Sequence, residues 1–501
     1  MSLSLALYGE TPGALFEDVY FRRDFVALHA RPDEIDALEL PGFRHAAAVR
    51  HIPGEDGEDM ETPWGYGGPI ARDGAAFWEG LGLWRQRQVD RGRVAEFIRL
   101  HPFINPLALR GFVDNLRFDR LTVLADLTEP AATRRRRYTK GTRYSIAYAE
   151  RRLNLRELDP SDAGLFRRLY EEGLARNQAE RGYYFAPGYY EELLAQPFTR
   201  AWVAERDGEA LAVACFLRGG AFAHYHLSGG GEPARISFAH YLLVERALDH
   251  YQGQGCRWMH LGGGRTASPD DALLRFKTRF SALRIPFYTG GLVHRRSAYE
   301  RLTKGRTDRF LSYRFPPTPD LSREQVTLNP AEPGDFAAFF RIKCDIDNIV
   351  WSGHDRPPSW PGLESWFQRH EAGGTGRRIF IARCAGRAVG YVYVDDRGTH
   401  FEATIGVASG EAGRGLGRGI LKEMARVCAD GAGRPVEAWI FPENTASVRA
   451  FEAAGFVFDE GRPAKPFPMP FAGAEPRKQR CWVWCQAQAA GAARQTGATG
   501  Q

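Results

Sequence analysis

Hydrophobic and polar positions along the chain follow two patterns, and both occur side by side near residue 400. From Thr399 to Ala408 apolar and polar residues alternate, which predicts a strand with one buried face. From Leu416 to Cys428 the apolar positions recur at helical spacing, which predicts an amphipathic helix. The apolar positions of the predicted strand are Phe401, Ala403, Ile405 and Val407.

A glycine-rich stretch, with Gly413, Gly415, Gly417 and Gly419, stands where this strand meets this helix. Glycine permits backbone angles that a Cβ forbids, and it lets main-chain N–H groups come close to a ligand. A helix N-terminus adds unpaired N–H donors and the positive end of a dipole. The junction is therefore predicted to hold an anion such as a diphosphate.

The same two patterns alternate along the whole chain, which predicts an α+β fold of mixed, mostly antiparallel sheets flanked by helices. A helix is predicted at 75–91, and an Asp207-Gly208 hairpin turn joins predicted strands at 201–205 and 209–218. The segment Phe315-Pro316-Pro317-Thr318-Pro319 is stiff and extended, so we place the main domain boundary there. A length of 501 residues allows about two to four domains.

Composition limits the class of protein. Apolar residues make up 44% of the chain and charged residues 26%, as in ordinary globular proteins. The net charge of +6 tolerates an anionic ligand but is too small to indicate a nucleic-acid-binding protein, so no DNA partner is expected. The chain has no apolar run long enough for a membrane span and no basic segment at its start, which predicts a cytoplasmic protein.

Cysteine spacing and one basic run bear on other kinds of site. The seven cysteines form no Cys-x-x-Cys pair, which argues against a disulfide framework and a zinc site, so no metal is expected. Arg134-Arg135-Arg136-Arg137 is followed by Lys140 and Arg143. These charges can hold a phosphate or form a solvated helix face, and the sequence leaves both interpretations open.

Two segments resemble the GNAT acetyltransferases. Ala412-Gly413-Arg414-Gly415-Leu416-Gly417 is similar to the acyl-CoA pyrophosphate loop of that family, although Ala412 stands where the family has Gln or Arg. The run from Asn444 to Gly455-Phe456 resembles the Asn-led helix of the family, which ends in Gly-Phe. The resemblance implies a GNAT N-acetyltransferase domain at 326–485 that uses acetyl-CoA or another acyl-CoA. The Ala-, Gly- and Gln-rich residues 486–501 are expected to form a disordered tail.

The same resemblance implies site residues. Glu402 is the candidate general base and His400 the alternative, although each can also be a plain strand-edge residue. Phe451 stands where the family usually has a Tyr that protonates the departing thiolate. A backbone donor, water, or the hydroxyl of Tyr391 or Tyr393 can take that role, or the domain is slow or inactive. The candidates for cofactor binding are Ile405, Val407, Ala412, Gly413, Arg414, Gly415, Leu416, Gly417, Arg418 and Asn444.

A second resemblance covers about residues 1–315. The segments Trp64-Gly65-Tyr66-Gly67-Gly68-Pro69, Leu261-Gly262-Gly263-Gly264 and Phe276-Lys277-Thr278-Arg279-Phe280 look like parts of the FemAB-type transferases. The resemblance implies two GNAT-like subdomains, at 1–140 and 141–315, that transfer an acyl or aminoacyl group to an amine. The alternative for the three glycines is that they only turn a strand into a loop. The candidate substrate residues are Trp64, Tyr66, Gly262, Gly263, Gly264 and Lys277.

Together these resemblances imply an acyl-CoA-dependent N-acyltransferase. Trp351-Ser352-Gly353-His354 and Glu364-Ser365-Trp366-Phe367 look like segments of GNAT enzymes that acetylate nucleotide-linked amino sugars for surface glycans. The expected small-molecule acceptor is therefore an amino sugar of surface-polysaccharide or cell-envelope synthesis. The alternatives are N-acylation of amino acids, peptides or proteins, and a non-catalytic acyl-CoA sensor. The oligomeric state stays open.

Overall fold

The computed structural model describes residues 5–306, 309–317, 325–371, 376–411, 414–429, 433–467 and 477–485. They fall into two compact units. The N-terminal unit spans Ser4–Asn105 and Leu109–Lys304, and the C-terminal unit takes Pro106–Ala108 and the chain from Gly305 onward. Ala412, Gly413 and the predicted tail at 486–501 lie outside the described residues.

The N-terminal unit is built on one mixed sheet flanked by helices. Its strands are β1 (Ile35–Leu40), β2 (Phe43–His51), β3 (Glu58–Glu61), β4 (Ile70–Ala71), β5 (Ala95–Arg99), β6 (Asp114–Asp126), β7 (Asn154–Glu157), β8 (Thr199–Arg206), β9 (Glu209–Gly219), β10 (Phe222–Gly230), β11 (Trp258–Gly263) and β12 (Arg284–Val293). Its helices are α1 (Pro12–Leu15), α2 (Arg23–Ala27), α3 (Gly74–Asp90), α4 (Ala131–Arg137), α5 (Lys140–Glu150), α6 (Ala163–Arg176), α7 (Pro187–Ala195), α8 (Glu232–Ile236), α9 (Ala239–Gly253), α10 (Ala272–Lys277) and α11 (Arg296–Thr303).

The strand order of this sheet is β1-β2-β3-β5-β12-β6-β11-β10-β9-β8-β7, with β4 paired to β2. β12 lies between β5 and β6 and pairs antiparallel with both. β12 is the last strand of this unit in the sequence, yet its partners β5 and β6 come much earlier in the chain. β10 and β11 are parallel neighbours, and their register places His224 beside His260.

The C-terminal unit has a separate mixed sheet. Its strands are β13 (Val326–Pro330), β14 (Arg377–Cys384), β15 (Arg387–Asp396), β16 (Phe401–Val407), β17 (Val436–Ile440), β18 (Val457–Phe458), β19 (Lys465–Phe467) and β20 (Arg477–Trp484). Its helices are α12 (Phe336–Lys343), α13 (Ile346–Trp351), α14 (Trp360–Glu371), α15 (Leu416–Cys428) and α16 (Thr445–Ala453). The strand order is β13-β14-β15-β16-β17-β20-β18, with β19 on β20.

The predicted strand and helix around the glycine stretch are confirmed as β16 and α15. Phe401 and Ala403 of β16 lie in the same buried core as the apolar side of α15, and Ile405 and Val407 pack against it. The Asp207-Gly208 hairpin is also confirmed, since both residues have the positive φ (52° and 81°) that a tight two-residue turn requires. Among the described helices, none is long and apolar enough to cross a membrane.

Candidate acyl-transfer site

β16 and β17 are paired only where they begin. Their parallel ladder joins Phe401 to Val436 and Glu402 to Glu437. β16 then continues to Val407 and β17 to Ile440. Because paired strands lie about 4.8 Å apart, the end of the ladder marks where the two strands separate. The main chain of the later part of β16 therefore has no partner in β17 on that side.

The predicted anion-binding turn follows β16. Gly415 is the N-cap of α15 and has a φ of 77°, in the left-handed region that glycine adopts without strain. Among the described residues, a Cβ added at Gly415 would meet no atom within 4 Å. Leu416 begins a helix of 13 residues, whose first N–H groups carry the positive end of the helix dipole. These groups fit the diphosphate of an acyl-CoA.

The side chains beside the turn are already held by ion pairs. Arg414 Nη1 lies 3.0 Å from Glu411 Oε2, and Arg387 Nη2 lies 2.9 Å from Glu411 Oε1. On the other side, Ser409 donates its N–H and its hydroxyl to the Asp345 carboxylate, at 2.7 and 3.0 Å. The Arg414 guanidinium is thus already paired with Glu411. The main-chain N–H groups of the turn are therefore stronger candidates for anion binding than the Arg414 side chain.

The remaining cofactor candidates lie on β16, on α15 and at the N-cap of α16. A Cβ at Gly417 would lie 3.7 Å from Ala450 Cβ and 3.8 Å from Val407 Cγ2, in ordinary van der Waals contact, so Gly417 faces both α16 and β16. Asn444 caps α16, because its Oδ1 accepts from Ser447 N at 3.2 Å. Its side-chain NH₂ is then the group that can donate to a ligand. Arg418 is exposed on α15.

Glu402 and His400 lie together at the start of the cleft. Glu402 has one carboxylate oxygen 3.5 Å from Arg397 Nη2 and the other 3.7 Å from Lys465 Nζ, and its side chain is 23% exposed. His400 Nε2 lies 3.5 Å from Glu437 Oε2. Glu437 is buried on β17 and also binds Arg462. The structure therefore adds a second carboxylate to the pair that the sequence predicts.

Tyr391 lies at the opposite end of β16. Its ring covers Gly406, where an added Cβ would lie 2.3 Å from ring atom Cε1. Gly406 is four residues beyond Glu402, or about 13 Å along the strand. The buried Tyr391 hydroxyl accepts from Lys343 Nζ at 3.3 Å. Burial raises the pKa of the neighbouring Tyr393 well above its ordinary value, which keeps that phenol protonated.

Aromatic residues predicted near the acceptor have different positions. Trp366 stacks on Phe339 with ring centres 6.0 Å apart, as a packing residue does. Trp351 lies 6.0 Å from Phe441, directly after β17, and the Arg477 guanidinium lies 5.1 Å from its ring centre. Only Trp351 of this pair therefore lies near the open ends of β16 and β17.

Sequence reasoning missed Lys343, Glu437 and Lys465. Glu437 had a signal, since it is a lone carboxylate in the otherwise apolar strand β17. The two lysines had none, because the fold brings them to Tyr391 and Glu402 from distant parts of the sequence.

In the N-terminal unit, four of the six predicted substrate residues meet at the end of β11. Gly262 has a φ of 77°, and a Cβ there would lie 3.0 Å from Lys277 Nζ and 3.9 Å from the Tyr66 hydroxyl. Lys277 Nζ donates to Gly263 O at 2.8 Å. Burial lowers the pKa of Lys277 to about 7. A buried amine, a phenol and a glycine strand thus share one site.

The other two predicted residues have packing contacts. A Cβ at Gly264 would lie 2.5 Å from the Asp271 carboxyl group, so close packing against Asp271 accounts for this glycine. Trp64 is 36% exposed, and its ring centre lies 4.8 Å from that of Tyr183.

The basic run on α4 forms ion pairs within the protein. Arg134 is buried and donates to Asp249 at 2.5 Å, and Arg135 donates to the buried Glu245 at 2.6 Å. Both carboxylates belong to α9. For the buried Arg134 neither a phosphate site nor a solvated face is the right interpretation, whereas Arg135 is ion-paired on a solvated face, with its side chain 44% exposed.

Comparison with known proteins agrees with this geometry. Residues 325–457 match the family model of the acetyltransferase (GNAT) domain. The C-terminal unit contains a GNAT acetyltransferase domain. The match includes β16, the Gly415 turn and α15, so an acyl-CoA is the cofactor that this GNAT domain uses.

No curated protein matches the chain. Among solved structures, the chain is similar to FemX, with 9% identity over 59% of this chain and 99% of that one and a TM-score of 0.46. It is also similar to AAC(6')-Ib in complex with paromomycin and acetyl-CoA, with 15% identity over 33% and 97% and a TM-score of 0.29. A spermidine N-acetyltransferase from Vibrio cholerae in complex with CoA and spermine has 18% identity over 33% and 97% and a TM-score of 0.29.

Proposed function

We propose that the GNAT domain transfers an acetyl group from acetyl-CoA to the primary amine of a nucleotide-linked amino sugar. The observation that carries the proposal is the separation of β16 from β17, which ends at the Gly415 turn and begins at Glu402 and Glu437. One end of the cleft therefore presents N–H donors for a diphosphate, and the other presents carboxylates for an amine.

In this proposal the main chain binds the cofactor. The N–H groups at the start of α15 hold the diphosphate, and the later part of β16 pairs with the pantetheine arm in place of a strand. Asn444 donates its amide N–H to the same arm. When bound, acetyl-CoA supplies an acetyl group activated as a thioester.

Proton transfer falls to Glu402 and to water. Glu402 takes a proton from the attacking amine at a carboxylate oxygen, directly or through one water, and Glu437 with His400 helps to hold the cationic form of the amine. The departing sulfur takes its proton from water, because Phe451 supplies no acid and the buried Tyr391 packs on Gly406, about 13 Å along β16 from Glu402.

The charges around the cleft favour an acceptor that carries both an amine and a phosphate. Lys465 lies beside the Glu402 carboxylate and Arg477 beside the Trp351 ring, so a cation accompanies each of these two groups. Trp351 offers a ring on which a sugar can stack. A nucleotide-linked amino sugar has all three groups, whereas a polyamine has only the amine.

The experiment is a thiol-release assay with acetyl-CoA and a panel of amines, read in parallel by mass spectrometry of the products. The panel contains nucleotide-linked amino sugars, aminoglycosides, polyamines, amino acids and peptides. We expect the highest kcat/KM with an amino-sugar nucleotide. A preference for polyamines or peptides would refute the acceptor class, and tight CoA binding without turnover on any amine would indicate a sensor.

For the N-terminal unit, we propose that Lys277, Tyr66 and Gly262 form a second transfer site that acts on the same glycan precursor. Two observations support it: Lys277 Nζ and the Tyr66 hydroxyl approach the same point above Gly262, and the lowered pKa of Lys277 makes a neutral amine available near pH 7.

A further inference from the structure

A cluster of four polar side chains lies in the core of the N-terminal unit. The cluster consists of Asp18, His101, His224 and His260, each of which is at most 2% exposed. Asp18 precedes α2, His101 follows β5, His224 is on β10 and His260 is on β11. Residues far apart in the sequence therefore converge on one small volume.

The geometry of the cluster is that of a ligand set. His224 Nε2 lies 2.7 Å from Asp18 Oδ2, and His101 Nε2 lies 3.6 Å from Asp18 Oδ1. One ligand atom from each of these three residues lies within 4.8 Å of the others. His260 is the register partner of His224 on the parallel neighbouring strand, and their ring centres are 5.9 Å apart.

The hydrogen bonds of the protein leave this cluster incompletely satisfied. His101 Nε2, His224 Nδ1 and His260 Nε2 are buried and have no hydrogen-bond partner among the described protein groups. A buried polar atom without a partner destabilises the fold, and here three such atoms occur together. Tyr20 and Tyr66 surround the rings, with centres 4.6 Å from His224 and 4.8 Å from His260 respectively.

We propose that Asp18, His101 and His224 bind a divalent transition-metal ion, best matched by Zn²⁺. Two imidazoles and a carboxylate belong to the nitrogen and oxygen donors that Zn²⁺ accepts. One ligand atom from each residue already lies within 4.8 Å of the others, so small side-chain shifts bring all three to an ion. His260 lies next to this set, with its ring centre 5.9 Å from that of His224.

Ion binding has to displace two weaker interactions. Phe103 N lies 3.4 Å from His101 Nδ1, and the Asp18–His224 hydrogen bond occupies a ring nitrogen. A hydrogen bond to a carboxylate is stronger than a neutral one, but a structural Zn²⁺ site stabilises the fold by much more than either. The ion therefore determines which ring nitrogens are protonated.

Asp18, His101 and His224 are each at most 1% exposed, which indicates a structural ion, because a catalytic Zn²⁺ keeps one position open to water. The ion would tie the segment at Asp18 to β10 and to the end of β5. The neighbouring His260 packs on the ring of Tyr66, so the ion would border the proposed Tyr66–Lys277 site. The metal proposal itself does not depend on that site.

The test is elemental analysis of the purified full-length chain, as isolated and after chelation followed by addition of Zn²⁺, Mn²⁺ or Fe²⁺. We expect about one ion per chain, preferentially Zn²⁺, and a fall of several degrees in Tm after chelation that Zn²⁺ reverses. His101→Ala and Asp18→Asn are expected to lose the ion. Replacement by Co²⁺ gives a second readout, a visible absorption spectrum typical of tetrahedral coordination.

A matched control is the other buried carboxylate–histidine group of this unit. Glu96 Oε1 lies 2.6 Å from His45 Nε2, and Glu96 Oε2 accepts from Trp84 Nε1 at 2.8 Å, so both oxygens are engaged. His45→Gln should lower Tm without changing the metal content. The proposal is overturned if the wild-type chain takes up none of these ions and chelation leaves Tm unchanged, as a water-filled cluster would. Full metal content in His101→Ala would overturn it equally.

Discussion

Two carboxylates of the GNAT domain, Glu402 and Glu437, differ in burial and in the distance to their cationic partners. Glu437 is buried and accepts from Arg462. Glu402 is partly exposed, and its nearest cations lie 3.5 and 3.7 Å away, too far for strong hydrogen bonds. A partly exposed carboxylate with only weakly held cations can change its partners during a reaction. Glu402 is therefore a better candidate for the base than Glu437.

Replacing Glu402 by Gln keeps the shape of the side chain and removes its ability to take a proton. We expect kcat to fall about 100-fold or more, with little change in CoA affinity, because a general base typically contributes 10²- to 10⁴-fold. The pH dependence of the remaining rate should flatten. The exposed Glu452 on α16 offers a matched control, and Glu452→Gln should leave kcat unchanged. An unaltered pH profile in Glu402→Gln would point to His400.

Lys277 gives a pH-dependent contribution to stability. Its pKa is lowered from 10.5 to about 7 by burial, so the folded protein disfavours the charged amine. Between pH 7 and pH 10.5 the unfolded chain binds more protons at this lysine than the folded protein does. The free energy of unfolding therefore rises with pH in this range. Below pH 7 both states are protonated and the slope disappears.

Denaturant titrations at pH 7 and pH 9 can measure this contribution. The difference in unfolding free energy between wild type and Lys277→Met should shift in favour of wild type at the higher pH. Equal differences at the two pH values would mean that the amine stays charged in the folded protein.

At the level of elements, the segment from β16 through Gly415 to α15 is the part of the GNAT domain best suited to bind a ligand. Gly415 needs its left-handed backbone, and the space around it is open. Among the described residues, a Cβ here meets no atom within 4 Å, so a side chain would enter the volume that we propose for the diphosphate.

Gly415→Glu should abolish CoA binding, because it places bulk and negative charge at that volume. Gly386 is a matched control, since it has a φ of 75°, an equally open Cβ position and a place in the β14–β15 turn. Gly386→Glu carries the same backbone strain and charge and should retain CoA affinity in calorimetry. Equal losses in both variants would show that strain, and not ligand contact, causes the effect.

Sequence predicted this element well because its signals are local. The alternation of β16, the helical period of α15 and the positive φ of Gly415 each depend on a few neighbouring residues. The separation of β16 from β17, the approach of Lys465 to Glu402 and the pairing of α4 with α9 depend on tertiary contacts. Periodicity carries no information on those contacts, which is why the arginine run on α4 had two open interpretations.

At the scale of the whole molecule, the chain joins two units with separate sheets, and each unit has its own candidate site. The α+β class is confirmed. The domain ranges 1–140, 141–315 and 326–485 stay predictions, as do the cytoplasmic location and the envelope precursor. The order of strands in the N-terminal unit could not be read from the sequence, because β12 pairs with β5 and β6 across more than half of the unit.

Two variants of the full-length chain can assign acetyl transfer to one unit. Glu402→Gln removes the proposed base of the GNAT domain, and Lys277→Met removes the buried amine of the N-terminal unit while keeping a similar volume. We expect acetyl-CoA turnover with the amino-sugar acceptor to be lost in the first variant and to stay within about twofold in the second, since a base typically contributes at least 10²-fold. Calorimetry with CoA controls for folding of the GNAT domain in both. If Lys277→Met loses turnover while CoA binding is intact, the acetyl transfer takes place in the N-terminal unit, and the GNAT domain delivers or senses the cofactor instead.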